Sequence, residues 1–274
     1  WDCPADCSYV CMWLMERSRP SDAGPVQKYY GKWPFRRWMG MQEPAAVLFS
    51  LLNLAAHAHC LARFVAARGG GYPYRWLWGG YMALSINAWL WSAVFHSRDT
   101  RLTERLDYFS AALLIFFNLF LCLVRTARLR SAAAMLAAAA PLAAFLASHF
   151  RFMLLVLFDY AYHVKVCIAA GAAQSALWLG WAAATAPAGR RHLLAFILLV
   201  NACMALEVLD FPPLWHALDA HSLWHAATAP LVYLFYQFIV ADVAPATATS
   251  PSPSPAAKAK HNLQRAAAFI NHGR

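Results

Sequence analysis

Residues 103–124 read TERLDYFSAALLIFFNLFLCLV: charged side chains at Glu104, Arg105 and Asp107, then none from Tyr108 to Val124. A helix needs about 20 apolar residues to cross the hydrocarbon layer of a bilayer, where every backbone N–H and C=O must be satisfied within the segment itself. Six further blocks of this kind lie at about 44–67, 75–96, 131–150, 160–184, 192–209 and 221–240, with short loops between them. The block at 131–150 is the least sharply bounded, because Ala133 to Ala140 is nearly all alanine and Leu154 to Phe158 could extend it past Arg151. The pattern predicts an all-α polytopic membrane protein, a seven-transmembrane helix bundle over residues 44–242. An N-terminal segment, 1–43, precedes it, and a Pro-Ala-Thr-Ser tail, 243–274, follows and reads as disordered and cytosolic.

Composition agrees, with 61% of residues hydrophobic, 13% charged and a mean hydropathy of +0.42. A soluble domain carries about 25% charged residues. The net charge of +10 does not point to nucleic acid, because the basic residues sit in short clusters between apolar blocks and not along one polar face.

Cys60, Cys122, Cys167 and Cys203 lie inside apolar blocks, whereas Cys3, Cys7 and Cys11 stand in the polar N-terminal segment. The second group reads as part of a disulfide framework on an oxidising, lumenal or extracellular side, the odd cysteine requiring a partner upstream of Trp1. A zinc knuckle is the rival, but the uniform spacing of four lacks its paired short spacing. The arginine-rich loops at 125–130 and 190–191 favour the cytosol, which places the N-terminus outside, although Lys32, Arg36 and Arg37 weigh the other way. This threading puts Glu43, Asp99, Glu104, Asp107, Asp159, Glu207, Asp210 and Asp219 on the N-terminal side and only Asp242 opposite.

The same side gathers chemistry. The second block ends with Ser92 and His96, four apart and hence on one helical face; the third opens with Asp107; the last opens with His221 and His225, again one turn apart. Three imidazoles leave a fourth position for water on a metal, and zinc suits them best, with iron, cobalt or nickel also compatible. The expected roles are metal ligands for His96, His221 and His225, general base for Asp107, and orienting or oxyanion-donating hydroxyl for Ser92. A histidine pair one turn apart also arises by chance, and such residues near an interface can simply reach for water. Ionisable groups inside a membrane are costly, however, and are mostly kept for function. Asp159, His163, Glu207 and Asp210 are candidate supports of the ligands, whereas His57 and His59, mid-helix without carboxylates, read as packing.

The chain resembles the post-GPI-attachment phospholipase family, within a superfamily that includes alkaline ceramidases and adiponectin receptors. The resemblance rests on Gly31-Lys32-Trp33-Pro34-Phe35, Gln42-Glu43-Pro44, Asn87-Ala-Trp, Phe95-His96-Ser97-Arg98-Asp99-Thr100, Leu106-Asp107-Tyr108, Phe158-Asp159-Tyr160, Leu209-Asp210-Phe211-Pro212-Pro213 and Leu218-Asp219-Ala220-His221. It implies removal of an acyl chain from the lipid of GPI-anchored proteins in the lumenal leaflet of the Golgi or endoplasmic reticulum. Ser92, His96, Asp107, His221 and His225 fall where the superfamily pattern has its serine, aspartate and histidines. His163 departs from the pattern, standing where an amide or apolar residue is expected. A ceramidase-like amide hydrolase and a non-enzymatic receptor or folding factor with a structural metal are the rival readings.

Overall fold

The computed structural model describes residues 1–20, 22–67 and 71–244; the tail from 245 to 274 lies outside the described residues. Eight helices follow one another: α1 (Cys3–Ser18), α2 (Pro44–Ala66), α3 (Arg75–Ser97), α4 (Arg101–Thr126), α5 (Ala132–Leu155), α6 (Tyr160–Thr185), α7 (Arg190–Leu209) and α8 (Ala220–Val243). Contacts run from α2 through α3, α4, α6, α7 and α8 back to α2, closing a ring, and α5 docks on α4.

Six helices among the described residues, α2 and α4 to α8, are long and apolar enough to cross a membrane. The expected count is seven, and the difference is α3. Its Trp76, Trp78, Tyr81, Asn87, Trp89 and Trp91 carry polar atoms that dilute its hydropathy. It is also the most enclosed helix, packed between α2 and α4 with Leu77, Trp78 and Ser85 fully buried. The face of a helix that meets protein is free to carry polar groups that pair with its neighbours.

One end of the bundle is closed by Trp78, Trp178, Phe235 and Phe238, each at most 1% exposed. The two indoles stack at 6.4 Å, and both phenylalanines meet Trp78 edge-on. At this end α7 starts on Gly189, φ +74°, where a Cβ would lie 2.9 Å from the Ala241 Cβ and 3.2 Å from the Phe238 Cα. Only glycine allows that approach. Here too Asp242 accepts from Arg125 Nε, 3.0 and 2.9 Å from its two oxygens, and from the Tyr72 hydroxyl.

The other end is set by capped helix starts. Thr100 and Thr103 form a capping box on α4, Asp159 accepts from the Tyr162 N–H at 3.0 Å, and Asp219 accepts from the Ser222 N–H at 2.9 Å. Because the Thr100 cap starts α4 at Arg101, Asp107 sits more than a turn and a half inside the helix and not at its opening. Likewise α5 runs past the expected boundary at 150 to Leu155.

The N-terminal segment contains a helix that the sequence reading does not include. Asp2 caps α1 by accepting from the Ala5 N–H at 3.0 Å, and a proline stands in the first turn. The four-residue spacing of Cys3, Cys7 and Cys11 is therefore the period of one helix face. The disulfide expected there is not formed: all seven cysteines are free, and the Cys3 and Cys7 sulfurs are 3.9 Å apart.

Truncating Asp242 would leave the Arg125 guanidinium, 17% exposed, without its carboxylate. Asp242→Ala should lower stability by about 3 kcal/mol, and Trp215→Ala, at a side chain 78% exposed, should change it by no more than about 0.5 kcal/mol. Unfolding of the detergent-solubilised protein measures both, and equal midpoints for the two variants would show that the ion pair contributes nothing to stability.

Candidate metal centre

The last turns of α3 carry Ser92 and His96, and the first turns of α8 carry His221 and His225. One donor atom from each of the three histidines lies within 4.8 Å of the other two, the one such group among the described residues. His221 Nε2 and His225 Nε2 are 2.9 Å apart, and His96 Nε2 is buried with no hydrogen-bond partner among the described residues. Ring centroids are 4.5 to 5.2 Å apart.

The far nitrogens explain the arrangement. His96 Nδ1 lies 2.6 Å from Glu43 Oε2, His221 Nδ1 lies 2.6 Å from Glu207 Oε2, and His225 Nδ1 lies 2.9 Å from Ser50 Oγ. A carboxylate is an acceptor, so Nδ1 of His96 and His221 donates to it, and Nε2 of each ring is turned inward. Lone pairs as close as 2.9 Å repel unless a proton or a cation lies between them. A tetrahedral zinc ion with Zn–N bonds near 2.0–2.1 Å spaces its nitrogens at about 3.3 Å, between the 2.9 Å of the His221–His225 pair and the 4.8 Å that bounds the trio. Ligating histidines characteristically donate their other N–H to a carboxylate or a hydroxyl, which fixes tautomer and tilt. The donor set fits a metal ion.

Each support comes from a different element. Glu43 is the residue before α2, and it is locked to the end of α3 by its own N–H, which donates to the His96 carbonyl at 3.0 Å. Burial works to raise the Glu43 carboxyl, but His96 and the Lys32 ammonium 3.9 Å away outweigh it and hold it down to about 2. Glu207, on α7, also accepts from the Tyr160 hydroxyl at 2.7 Å. Ser50, on α2, is fully buried, and one turn on Asn53 donates to the His225 carbonyl at 2.8 Å.

Ser50 also lies 3.1 Å from Ser92 Oγ. When His225 Nδ1–H donates to Ser50, the Ser50 O–H donates to Ser92, and the Ser92 proton is left to point elsewhere. Asp107, on α4, is not one of the three converging groups.

The remaining sequence candidates divide. Glu207 supports a histidine as anticipated. Asp210 instead pairs with Lys28 and accepts from Trp33 Nε1 at 2.9 Å, Asp159 caps α6, and His163 lies 3.1 Å from His149 Nε2 and stacks on Tyr108. None of these three touches the trio. His57 and His59 pack edge-on against Tyr81 and Tyr233. Ser50 and Asn53 are absent from the sequence reading, because a hydroxyl and an amide inside an apolar block declare nothing until their partner on α8 is in place.

The sequence profile of the Per1-like family matches residues 1–243. A GPI-specific phospholipase A2-like PGAP3 of Cricetulus griseus is 39% identical over 244 residues, covering 88% of this chain and 76% of that protein. The Homo sapiens protein of the same name is 38% identical over 245 residues, with the same coverage, 88% and 76%. The post-GPI attachment to proteins factor 3 of Drosophila melanogaster is 36% identical over 241 residues, covering 87% of this chain and 74% of that protein. The profile match takes in α1, the helical ring and every residue of the histidine centre, and the chain belongs to the Per1-like family.

Proposed function

We propose that this chain is a metal-dependent acyl-ester hydrolase of phospholipase A2 type, which removes the sn-2 acyl chain from the lipid of GPI-anchored proteins. The observation that carries the reading is the trio of imidazoles held from behind by Glu43, Glu207 and Ser50 with their Nε2 atoms converging. The names of the relatives, GPI-specific phospholipase A2-like, supply the substrate class. The site belongs in the lumenal leaflet of the Golgi or endoplasmic reticulum, with α3 as the seventh span and the C-terminus cytosolic.

His96, His221 and His225 are the residues to hold the ion, zinc by preference. When bound, zinc acidifies a water to a pKa near about 7 and polarises an ester carbonyl. Asp107 takes one proton from the attacking water and returns it to the glycerol oxygen that leaves, so a free fatty acid and a lyso lipid result. Ser92, whose own proton is unclaimed once Ser50 donates to it, stabilises the charge that develops on the carbonyl oxygen. Access is from the side of His221, whose side chain is 34% exposed against 3% for His96.

Topology is tested with tags in intact vesicles: one placed before Trp1 should be protected from protease, and one after Asp242 should be cleaved. Protection of both would break the seven-span threading and the lumenal site together.

For the metal, His96→Ala, His221→Ala and His225→Ala should each lose the ion and the activity, while His57→Ala and His59→Ala keep both. Glu43→Gln and Glu207→Gln should weaken metal affinity roughly 10- to 100-fold, as removal of such outer partners does. Elemental analysis and chelator competition on the purified protein read this out, and full occupancy in a His221→Ala, His225→Ala double variant would end the assignment.

Asp107→Asn keeps the size of the side chain but cannot accept a proton. It should retain the ion and the fold while losing on the order of 10²–10⁴ in rate on a GPI lipid. Ser92→Ala should lose at most roughly 10²–10³. Release of the metal by Asp107→Asn would make Asp107 a ligand and turn the reading toward a closed, structural site.

A further inference from the structure

Beside the histidine centre, the segment between α1 and α2 folds back and leaves a cleft of about 350 Å³. That is within the range of small-molecule pockets, roughly 300–1,000 Å³. Its wall combines the aromatic rings of Tyr9, Tyr30 and Trp33 with the charges of Lys32, Arg37 and Asp99. Lys32 connects it to the chemistry: its ammonium pairs with Asp99 inside the cleft and lies 3.9 Å from Glu43, whose other oxygen holds His96 at 2.6 Å.

One wall residue is held at a conformational cost that the fold does not offset. Tyr29 and Lys32 exchange backbone hydrogen bonds of 2.7 and 2.9 Å around Tyr30 and Gly31, at φ +52° and +81°. Positive φ at both central positions is the type I′ turn, which favours asparagine and glycine. A bulky tyrosine there is an outlier. Its side chain nevertheless has no packing role, being 74% exposed at the mouth of the cleft. Backbone strain of this kind is characteristically kept for ligands.

We propose that this cleft is the subsite for the polar head of the substrate, a phosphoinositol glycan. The inference rests on the hydrolase reading and extends it to substrate selection. Aromatic faces pack on the C–H faces of sugar rings, cations attract the phosphate, and the carboxylate accepts from hydroxyl and amino groups. In such a lipid the sn-2 ester is only a few bonds from the phosphate. A head seated beside Lys32 therefore lies one carboxylate, Glu43, away from His96, whereas a lipid without the glycan leaves Tyr30 unused.

The test uses the full chain in detergent micelles and the variant Tyr30→Gly, which removes the ring and relieves the backbone. Its unfolding midpoint should equal or exceed that of the unaltered chain. Its KM for a GPI lipid should rise about five- to tenfold with kcat unchanged, while turnover of phosphatidylinositol with the same acyl chains stays the same. Direct titration with the water-soluble, deacylated head, glucosaminyl-inositol glycerophosphate, should show the same weakening in Tyr30→Gly and none in His221→Ala. No hydrolysis of the GPI lipid by the unaltered chain would sink the hydrolase reading and leave the titration to decide the cleft by itself. Equal affinity of the head for the unaltered chain and Tyr30→Gly, or no binding to either, overturns the subsite.

Discussion

Three hydrogen bonds from imidazole Nδ1 atoms fix more of this molecule than their number implies. They join His96 on α3 to the residue before α2, His221 on α8 to α7, and His225 on α8 to α2, at 2.6, 2.6 and 2.9 Å. Bonds that short admit little sliding, so four helix ends are held at one depth. Around each imidazole the polar atoms are mutually satisfied, as groups withdrawn from water must be. The inward Nε2 of His96 has no partner, and the Nε2 atoms of His221 and His225 face each other at 2.9 Å, so the energetic case for a cation rests on the three inward nitrogens together.

The two ends of the bundle divide the work. Trp78, Trp178, Phe235 and Phe238 fill one end with interlocked aromatic rings, while Ser50, Asn53, Ser92 and the histidines occupy the other. The separation along α3 from Trp78 to His96 is eighteen residues, or about 27 Å at 1.5 Å each, nearly the hydrocarbon thickness. A rigid plug at one end keeps the helices from splaying. At the other, the polar groups of α2, α3 and α8 gather around the three imidazoles.

The helices were legible in the sequence because an apolar block about 20 residues long matches the thickness of a bilayer and exceeds what the core of a small soluble domain requires. The meeting of three histidines was legible because His96, His221 and His225 stand at block ends that the threading brings to one side. The seven-span count parts from the six apolar helices at α3, whose indoles, hydroxyls and amide lower its hydropathy below that of the other long helices. The helix α1 was concealed by its cysteines: a period of four reads as a disulfide framework without the helix face it also makes, and the Asp2 cap with its following proline was the signal for the helix. Ser50 was beyond reach, since a serine amid Val47, Leu48, Phe49 and Leu51 looks like any tolerated hydroxyl. Its role exists only across the 175 residues that separate it from His225.

Lys32 bears on how the N-terminal segment and the catalytic end act as one. It lies in a tight turn, pairs with Asp99 just beyond α3, and stands 3.9 Å from the carboxylate that orients His96. The turn is tethered further by Trp33 Nε1 on Asp210 and by the Arg36 N–H on the His216 carbonyl, so it is anchored to the α7–α8 connection as well. A ligand that moves Lys32 therefore alters the charge facing Glu43, and through Glu43 the electron density that His96 offers to an ion. On the proposed reading, the orientation of His96 depends through Glu43 and Lys32 on what occupies the cleft. On that same reading, selection of a lipid head and readiness of the site to cleave share the Lys32 side chain, a physical reason for the chain to carry a folded segment beside its helical bundle.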